Sequence, residues 1–159
     1  MKTTTEFASV VEEIIALERK WENIFITLSP EVTTKNINTQ GRTIKQILGH
    51  MIDSASNNHQ RMVRLQYTDK LDFPDYTLQN DQWIAIQNYQ EEHWITLVEL
   101  WKYFNLHIAH IISQVNKKTL NHTWTDCDGS SVRLRDMING YLDHLKLHLG
   151  EIDEMINLK

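Results

Sequence analysis

The chain has 159 residues, of which 41% are apolar and 23% are charged, a balance that predicts one folded domain over residues 1–159. The net charge of -5 and the lack of a Lys/Arg cluster disfavour nucleic acid and anionic membranes as partners, and favour a small-molecule substrate. The single cysteine, Cys127, excludes an internal disulfide, and no signal-like or membrane-spanning segment is evident, so a cytoplasmic protein is expected.

The first half of the sequence has the periodicity of two long helices. Over residues 5–28 apolar side chains recur on one helical face, and the Ser29-Pro30 pair predicts the end of that helix. The polar stretch over residues 31–42 is interpreted as a loop. Thr43 is a suitable N-cap for a second amphipathic helix that extends to about residue 66.

The second half of the sequence predicts two more helices and a small hairpin between them. An apolar pattern covers residues 80–115 without Pro or Gly, so a single, unusually long helix is predicted there. Residues 121–133 contain the Asp128-Gly129 turn and are interpreted as a short β-hairpin. Residues 134–157 form the last predicted helix. Four long amphipathic helices predict an all-α, antiparallel four-helix bundle, a fold whose metal sites are built in the core from facing helices.

Two histidines of the last helix, His144 and His148, fall on its apolar face, which also carries Met137, Tyr141 and Leu145. Burying an imidazole without a partner costs about 1–3 kcal/mol, so this pair needs hydrogen-bond partners, water or a metal ion. Side chains four residues apart are close enough to converge on one ion. Periodicity alone gives similar weight to a metal site and to core histidines that are hydrogen-bonded to hydroxyls or carbonyls.

A metal site that also binds substrate needs a third protein ligand. His50 begins a polar stripe on the second helix that continues through Ser54, Asn57 and Arg61. This stripe fits a solvated flank, or a metal ligand followed by supporting residues and an anion-binding arginine. Sequence spacing does not decide between His50 and His107 as the third ligand.

Three other features have ordinary structural explanations. Glu151, one turn beyond His148, fits a general base or a supporting group as well as it fits a solvated charge. Cys127 is better explained as an incidental loop cysteine than as a fourth ligand or nucleophile. His107 and His110 are interpreted as surface or interface groups, and no phosphate-binding glycine loop or nucleophile elbow is present.

One set of residues resembles the DinB-like superfamily, and in particular its YfiT-like branch. The set comprises the run Gly49-His50-Met51-Ile52-Asp53-Ser54, then Asn57 and Arg61, and finally His144 and His148. Pro74, Tyr76, Trp83 and the Gly129 turn extend the resemblance over roughly residues 10–155. The resemblance implies a four-helix bundle that holds one divalent metal, zinc or nickel, on His50, His144 and His148. It also implies that Asp53, Ser54, Asn57 and Arg61 line or support this site, with Asp53 projecting further from the stripe.

The resemblance implies two kinds of activity. YfiT-like proteins are regarded as metal-dependent hydrolases, whereas relatives are thiol transferases or isomerases that use a low-molecular-weight thiol such as bacillithiol or mycothiol. A metal ion that is bound by three histidines and keeps an open coordination position can serve either activity, because it activates water for hydrolysis or holds a thiolate for thiol transfer. We favour thiol transfer to an electrophilic small molecule, with Arg61 and Asn57 binding the thiol cofactor. The alternatives are hydrolysis of a small ester or amide, and a non-enzymatic metal-binding protein of the stress or damage response.

An interaction module is the alternative of a different class. In it the histidines are structural, and the bundle works as a homodimer that buries a face shared by the first and third helices. Homodimers are the commonest soluble oligomers, so a homodimer is also expected for an enzyme.

Overall fold

Four long helices make up most of the molecule, which is a computed structural model that describes residues 5–157. They are α1 (Ala8–Phe25), α3 (Ile44–Arg64), α5 (Trp94–Ser113) and α6 (Leu134–Asn157). The connections contain two short helices, α2 (Pro30–Lys35) and α4 (Asn80–Gln87), and three short strands, β1 (Lys70–Leu71), β2 (Thr123–Thr125) and β3 (Ser131–Arg133). The predicted four-helix bundle with a small hairpin before the last helix is therefore confirmed. No helix in the described range is both long and apolar enough to span a membrane.

The connection between α1 and α3 is not entirely a loop, so this part of the prediction was wrong. Ser29 caps α2, because its Oγ accepts a hydrogen bond from the backbone N–H of Val32 at 3.2 Å. Pro30 occupies the first turn of α2, where its missing N–H leaves no hydrogen bond unmade. The Ser29-Pro30 pair thus begins a new helix. The predicted start of α3 is confirmed, since Thr43 and Gln46 form a capping box.

The long helix predicted over residues 80–115 is two helices, and this prediction was also wrong. The break falls at Asn88, whose φ of 49° and ψ of 49° place it in the left-handed region and end α4. A 3-10 turn over Tyr89–Glu91 and the extended residue His93 separate it from α5. Asparagine tolerates this conformation better than most residues. Apolar spacing did not show the break because side chains on both sides of it, including Ile84 and Leu97, pack into one core.

The core lies between the four long helices and is rich in aromatic side chains. Phe25 of α1 meets Trp94 and Trp101 of α5 edge to face, with ring centroids 5.6 and 5.3 Å apart. The indole N–H of Trp94 donates to the backbone carbonyl of Phe25 at 2.8 Å. α3 packs against both α5 and α6. The helix that carries His50 therefore lies next to the helix that carries His144 and His148.

The hairpin of β2 and β3 is confirmed, with Gly129 in its turn at a φ of 79°. β1 was not predicted, and it pairs in parallel with β2 through Leu71 and Trp124. A strand of two residues gives no periodic signal in a sequence. The indole of Trp124 also donates to the carbonyl of Phe73 at 2.7 Å, which fixes the chain that follows α3 against the hairpin.

Candidate metal centre

Three imidazoles converge between α3 and α6. His50 comes from α3, His144 and His148 come from α6, and one ring nitrogen from each lies within 4.8 Å of the others. The centroid of the His50 ring is 5.4 Å from the centroid of the His144 ring and 4.8 Å from that of the His148 ring. His107, the competing candidate, is exposed on α5 next to His59, with ring centroids 5.3 Å apart. Of the two candidates, His50 is the one that lies with the pair on the last helix.

The second nitrogen of each α6 histidine faces a polar partner. His148 Nδ1 lies 2.6 Å from Glu151 Oε2, and His144 Nδ1 lies 3.4 Å from Ser54 Oγ. With the proton on Nδ1, each ring donates to that partner and its orientation is fixed. The two Nε2 atoms are 3.0 Å apart. Two unprotonated nitrogens at this distance repel each other, and a shared cation removes that repulsion.

Burial favours the neutral form of His50 and of His144. Burial lowers the pKa of His50 to about 3, with a further contribution from the neighbouring imidazoles. Burial also lowers the pKa of His144 to about 4, and His148 adds to this effect. Within the described residues, His50 Nδ1 is a buried atom without a hydrogen-bond partner. Three converging imidazole nitrogens fit a divalent ion such as Zn²⁺ or Ni²⁺, which binds neutral histidine.

Asp53 is buried on α3, three residues after His50, and is not part of the three-histidine cluster. Its Oδ1 accepts hydrogen bonds from the hydroxyl of Tyr89 at 2.6 Å and from the side-chain amide of Gln87 at 2.8 Å. Burial raises the pKa of Asp53 above its ordinary value, and these two hydrogen bonds oppose the rise. Asn57 donates to the backbone carbonyl of Asp53 at 2.9 Å. Asp53 therefore ties α3 to the end of α4 and to the turn after it, whereas the hydrogen bond of Asn57 stays within α3.

A cavity of about 330 Å³ opens next to His50 and His144. Its polar lining includes Ser54, Asn58, Arg61, Tyr76 and Tyr141. Asn57 does not line it, whereas Asn58, which the sequence analysis missed, does. Asn58 donates to Ser54 Oγ at 3.2 Å, and its place one turn after Ser54 was the available signal.

Tyr76 and Cys127 differ sharply in their relation to the cavity. Burial, with the nearby Asp53 charge, raises the pKa of the Tyr76 hydroxyl, which therefore remains a protonated hydrogen-bond donor in the wall. Cys127 is exposed in the hairpin turn, and its backbone N–H donates to Asp75 at 2.9 Å. It belongs neither to the histidine cluster nor to the cavity wall.

Comparisons with known proteins match nearly the whole chain. The model of a protein family described as the DinB superfamily matches residues 13–152. A protein of Halalkalibacterium halodurans, provisionally named a metal-dependent hydrolase, is 23% identical over 147 residues, which cover 92% of this chain and 84% of the relative.

Two solved structures are similar in fold. YfiT from Bacillus subtilis, described as a probable metal-dependent hydrolase with an unusual four-helix bundle topology, aligns with a TM-score of 0.83 at 12% identity, over 98% of this chain and 88% of YfiT. A mycothiol-dependent maleylpyruvate isomerase aligns with a TM-score of 0.68 at 13% identity, over 89% of this chain and 60% of the isomerase.

Proposed function

Because this chain belongs to the DinB superfamily, we propose that it is a divalent-metal-dependent enzyme whose metal ligands are His50, His144 and His148. The observation that carries the proposal is the convergence of three imidazoles, with His144 Nε2 and His148 Nε2 only 3.0 Å apart. Zinc and nickel are among the ions that suit imidazole ligands. The names of the Halalkalibacterium relative and of YfiT support dependence on a metal.

The residues around the three histidines have separate tasks in this proposal. A divalent ion with an open position supplies Lewis-acid chemistry and lowers the pKa of a bound water or thiol. Glu151 and Ser54 hold the protons of His148 Nδ1 and His144 Nδ1, and so keep both Nε2 atoms directed at one point. The cavity beside His50 and His144 receives the small-molecule substrate, and the Tyr76 hydroxyl donates a hydrogen bond to it.

The reaction that we propose is transfer of a low-molecular-weight thiol to an electrophilic small molecule. In this reaction a sulfur–carbon bond forms, the bond from carbon to its leaving group breaks, and the thiol proton passes to the leaving group or to solvent. The similarity in fold to an isomerase that depends on mycothiol supports this choice. A buried arginine in the cavity wall supports it as well, because a guanidinium binds anionic groups, a thiolate among them.

Hydrolysis of a small ester or amide is the second candidate. It is favoured by the names of the Halalkalibacterium relative and YfiT, which both describe metal-dependent hydrolases. The same cavity would then receive the ester or amide, and water would replace the thiol as nucleophile.

One set of assays separates these candidates. Protein purified without a histidine tag is analysed for metal content, and is then assayed with and without a chelator. Thiol transfer predicts coupling of a bacillithiol-like thiol to a halogenated or epoxide electrophile that stops when the metal is removed. Hydrolysis predicts turnover of an ester or amide without added thiol. Stoichiometric metal with neither activity would favour the non-enzymatic metal-binding protein, and an absence of metal would contradict the proposal.

A further inference from the structure

Arg61 is a buried cation that forms no ion pair among the described residues. It is only 6% exposed, and its side chain lines the cavity that reaches His50 and His144. Its guanidinium carbon lies 4.2 Å from the centroid of the Trp124 ring, so one face of the group is stacked. Among the described residues, Nε is buried without a hydrogen-bond partner, and Arg61 forms no ion pair. A charge that is buried in this way is costly unless an anion compensates it.

The acidic residues around Arg61 are already engaged elsewhere. Asp75 Oδ1 accepts hydrogen bonds from the backbone N–H and the hydroxyl of Thr77, and Asp75 Oδ2 accepts one from Cys127 N–H. Asp136, which also lines the cavity, accepts at both oxygens from Arg133, at 2.7 and 3.1 Å. Asp75 is near enough to stabilise the charge of Arg61 and so to raise its pKa, which burial lowers, but neither carboxylate forms an ion pair with Arg61 among the described residues.

We propose that Arg61 is an anion-binding group for the reactants, so that a substrate or thiol co-substrate of this enzyme carries a carboxylate that binds there. The planar guanidinium matches the two oxygens of a carboxylate, and its contact with the Trp124 ring uses no N–H donor needed for that ligand. This inference rests on the proposed function, because it concerns the molecule that reaches the three-histidine cluster.

The spacing along α3 limits the length of that molecule. Ser54 lies next to His144, and Arg61 follows Ser54 by two helical turns, about 10 Å along the axis. A helical side chain leans toward the N-terminus of its helix, so the guanidinium extends back toward the histidines. The axial spacing is therefore an upper bound on the distance between the carboxylate and the reacting atom. A six-carbon acid falls within this bound and is used as the probe.

Binding of matched acid and amide pairs tests this inference. The thiol pair is 6-mercaptohexanoate and 6-mercaptohexanamide, and the electrophile pair is 6-chlorohexanoate and its amide. Binding is measured by calorimetry to wild-type protein, with and without Zn²⁺. For at least one pair we expect the acid to bind about 10-fold or more tightly than the amide, because a charge-assisted pair with a buried arginine is lost in the amide. The pair that shows the preference identifies whether the thiol or the electrophile carries the anion.

Three variants assign the preference to Arg61. Arg61→Met should bind acid and amide equally, and Arg61→Lys should retain part of the preference because it keeps the charge without the planar fork. Arg64→Met is the matched control, since Arg64 lies on the same helix and also stacks on an aromatic ring, that of Phe73 at 5.3 Å, but does not line the cavity. It should leave the preference unchanged.

The outcomes separate this inference from the proposed function. Equal binding of acid and amide by the wild type, no measurable binding of either acid, or a preference that survives in Arg61→Met would each overturn the inference, whatever the metal content. A preference that persists in the metal-ligand variant His148→Ala, or in wild-type protein that binds no metal, would support the anion site independently. If Arg61→Met fails to fold, as judged by circular dichroism, Arg61→Lys and Arg64→Met provide the comparison.

Discussion

Gly49 lies directly beneath the ring of Tyr89, so that a Cβ atom at Gly49 would overlap the ring itself. Tyr89 belongs to the turn that separates α4 from α5, and its hydroxyl donates to Asp53. The absence of a side chain at Gly49 thus lets this turn approach α3 next to His50. Gly49, which precedes the proposed ligand His50, therefore packs directly against the turn that separates α4 from α5.

Gly49→Ala should destabilise the protein, because Tyr89 would have to move and its hydrogen bond to Asp53 would be lost. Overpacking of this kind typically costs about 1–3 kcal/mol. Gly150→Ala is the matched control, since Gly150 is also helical and has open space around it. That substitution should stabilise the protein by a few tenths to about 1 kcal/mol through helix propensity. Chemical denaturation of both variants measures the difference, and equal free energies of unfolding would contradict this account.

Replacing any of His50, His144 or His148 by Ala should abolish stoichiometric binding of metal, because two imidazoles hold a divalent ion far less tightly than three. Elemental analysis of untagged protein is the measurement, with circular dichroism to show that the helices persist. His107→Ala is the control, because His107 is exposed on α5. It should retain the metal content of the wild type. Undiminished metal in the three ligand variants would place the site elsewhere.

Glu151→Gln and Ser54→Ala should weaken metal binding without abolishing it. Both residues face the Nδ1 atom of a proposed ligand, and losing such a partner typically costs about 10- to 100-fold in metal affinity. Competition with a chromogenic chelator gives the dissociation constants. Glu154→Gln serves as the control, since Glu154 is exposed on the same helix. Wild-type metal affinity in both Glu151→Gln and Ser54→Ala would mean that these hydrogen bonds do not orient the ligands.

The sequence predicted most of the bundle because burial on long helices leaves a strong periodic signal. Periodicity did not reveal the helix break at Asn88, because apolar side chains on both sides of the break pack into one core. The left-handed conformation of Asn88 itself has no signature in the spacing of apolar residues. It also missed β1, since the pairing of Leu71 with Trp124 joins segments far apart in the sequence.

At the site as well, contacts within one helix could be predicted from the sequence, whereas contacts between helices could not. Spacing on one helix revealed the pairing of His144 with His148, because both lie on the apolar face of α6. The choice of His50 over His107 depended on the resemblance, since it is decided by which helix faces α6. Asn57 and Asn58 differ by a rotation of about 100° around α3. The polar stripe in the sequence favoured Asn57, but Asn58 is the residue that lines the cavity.

Glu18 provides a test of stability against pH that does not involve the histidine cluster. This residue is only 4% exposed on α1, and within the described residues its Oε1 has no hydrogen-bond partner. Burial raises the pKa of Glu18 above its ordinary value, and the neighbouring Glu22 raises it further, although Lys102 opposes the shift. The folded state therefore holds the proton of Glu18 more tightly than the unfolded chain does.

A carboxyl group with a raised pKa in the folded state contributes fully to stability below its unfolded pKa, near 4, and that contribution is lost as pH rises through the folded pKa. Glu18→Gln should therefore unfold at a higher denaturant concentration than the wild type at pH 7, with the difference shrinking as the pH approaches 4. Both proteins are measured with a chelator present, so that metal binding does not contribute. Glu12→Gln, an exposed substitution on the same helix, should track the wild type at every pH. A Glu18→Gln variant that is less stable than the wild type at pH 7 would show that the charged carboxylate stabilises the fold, contrary to the direction argued here.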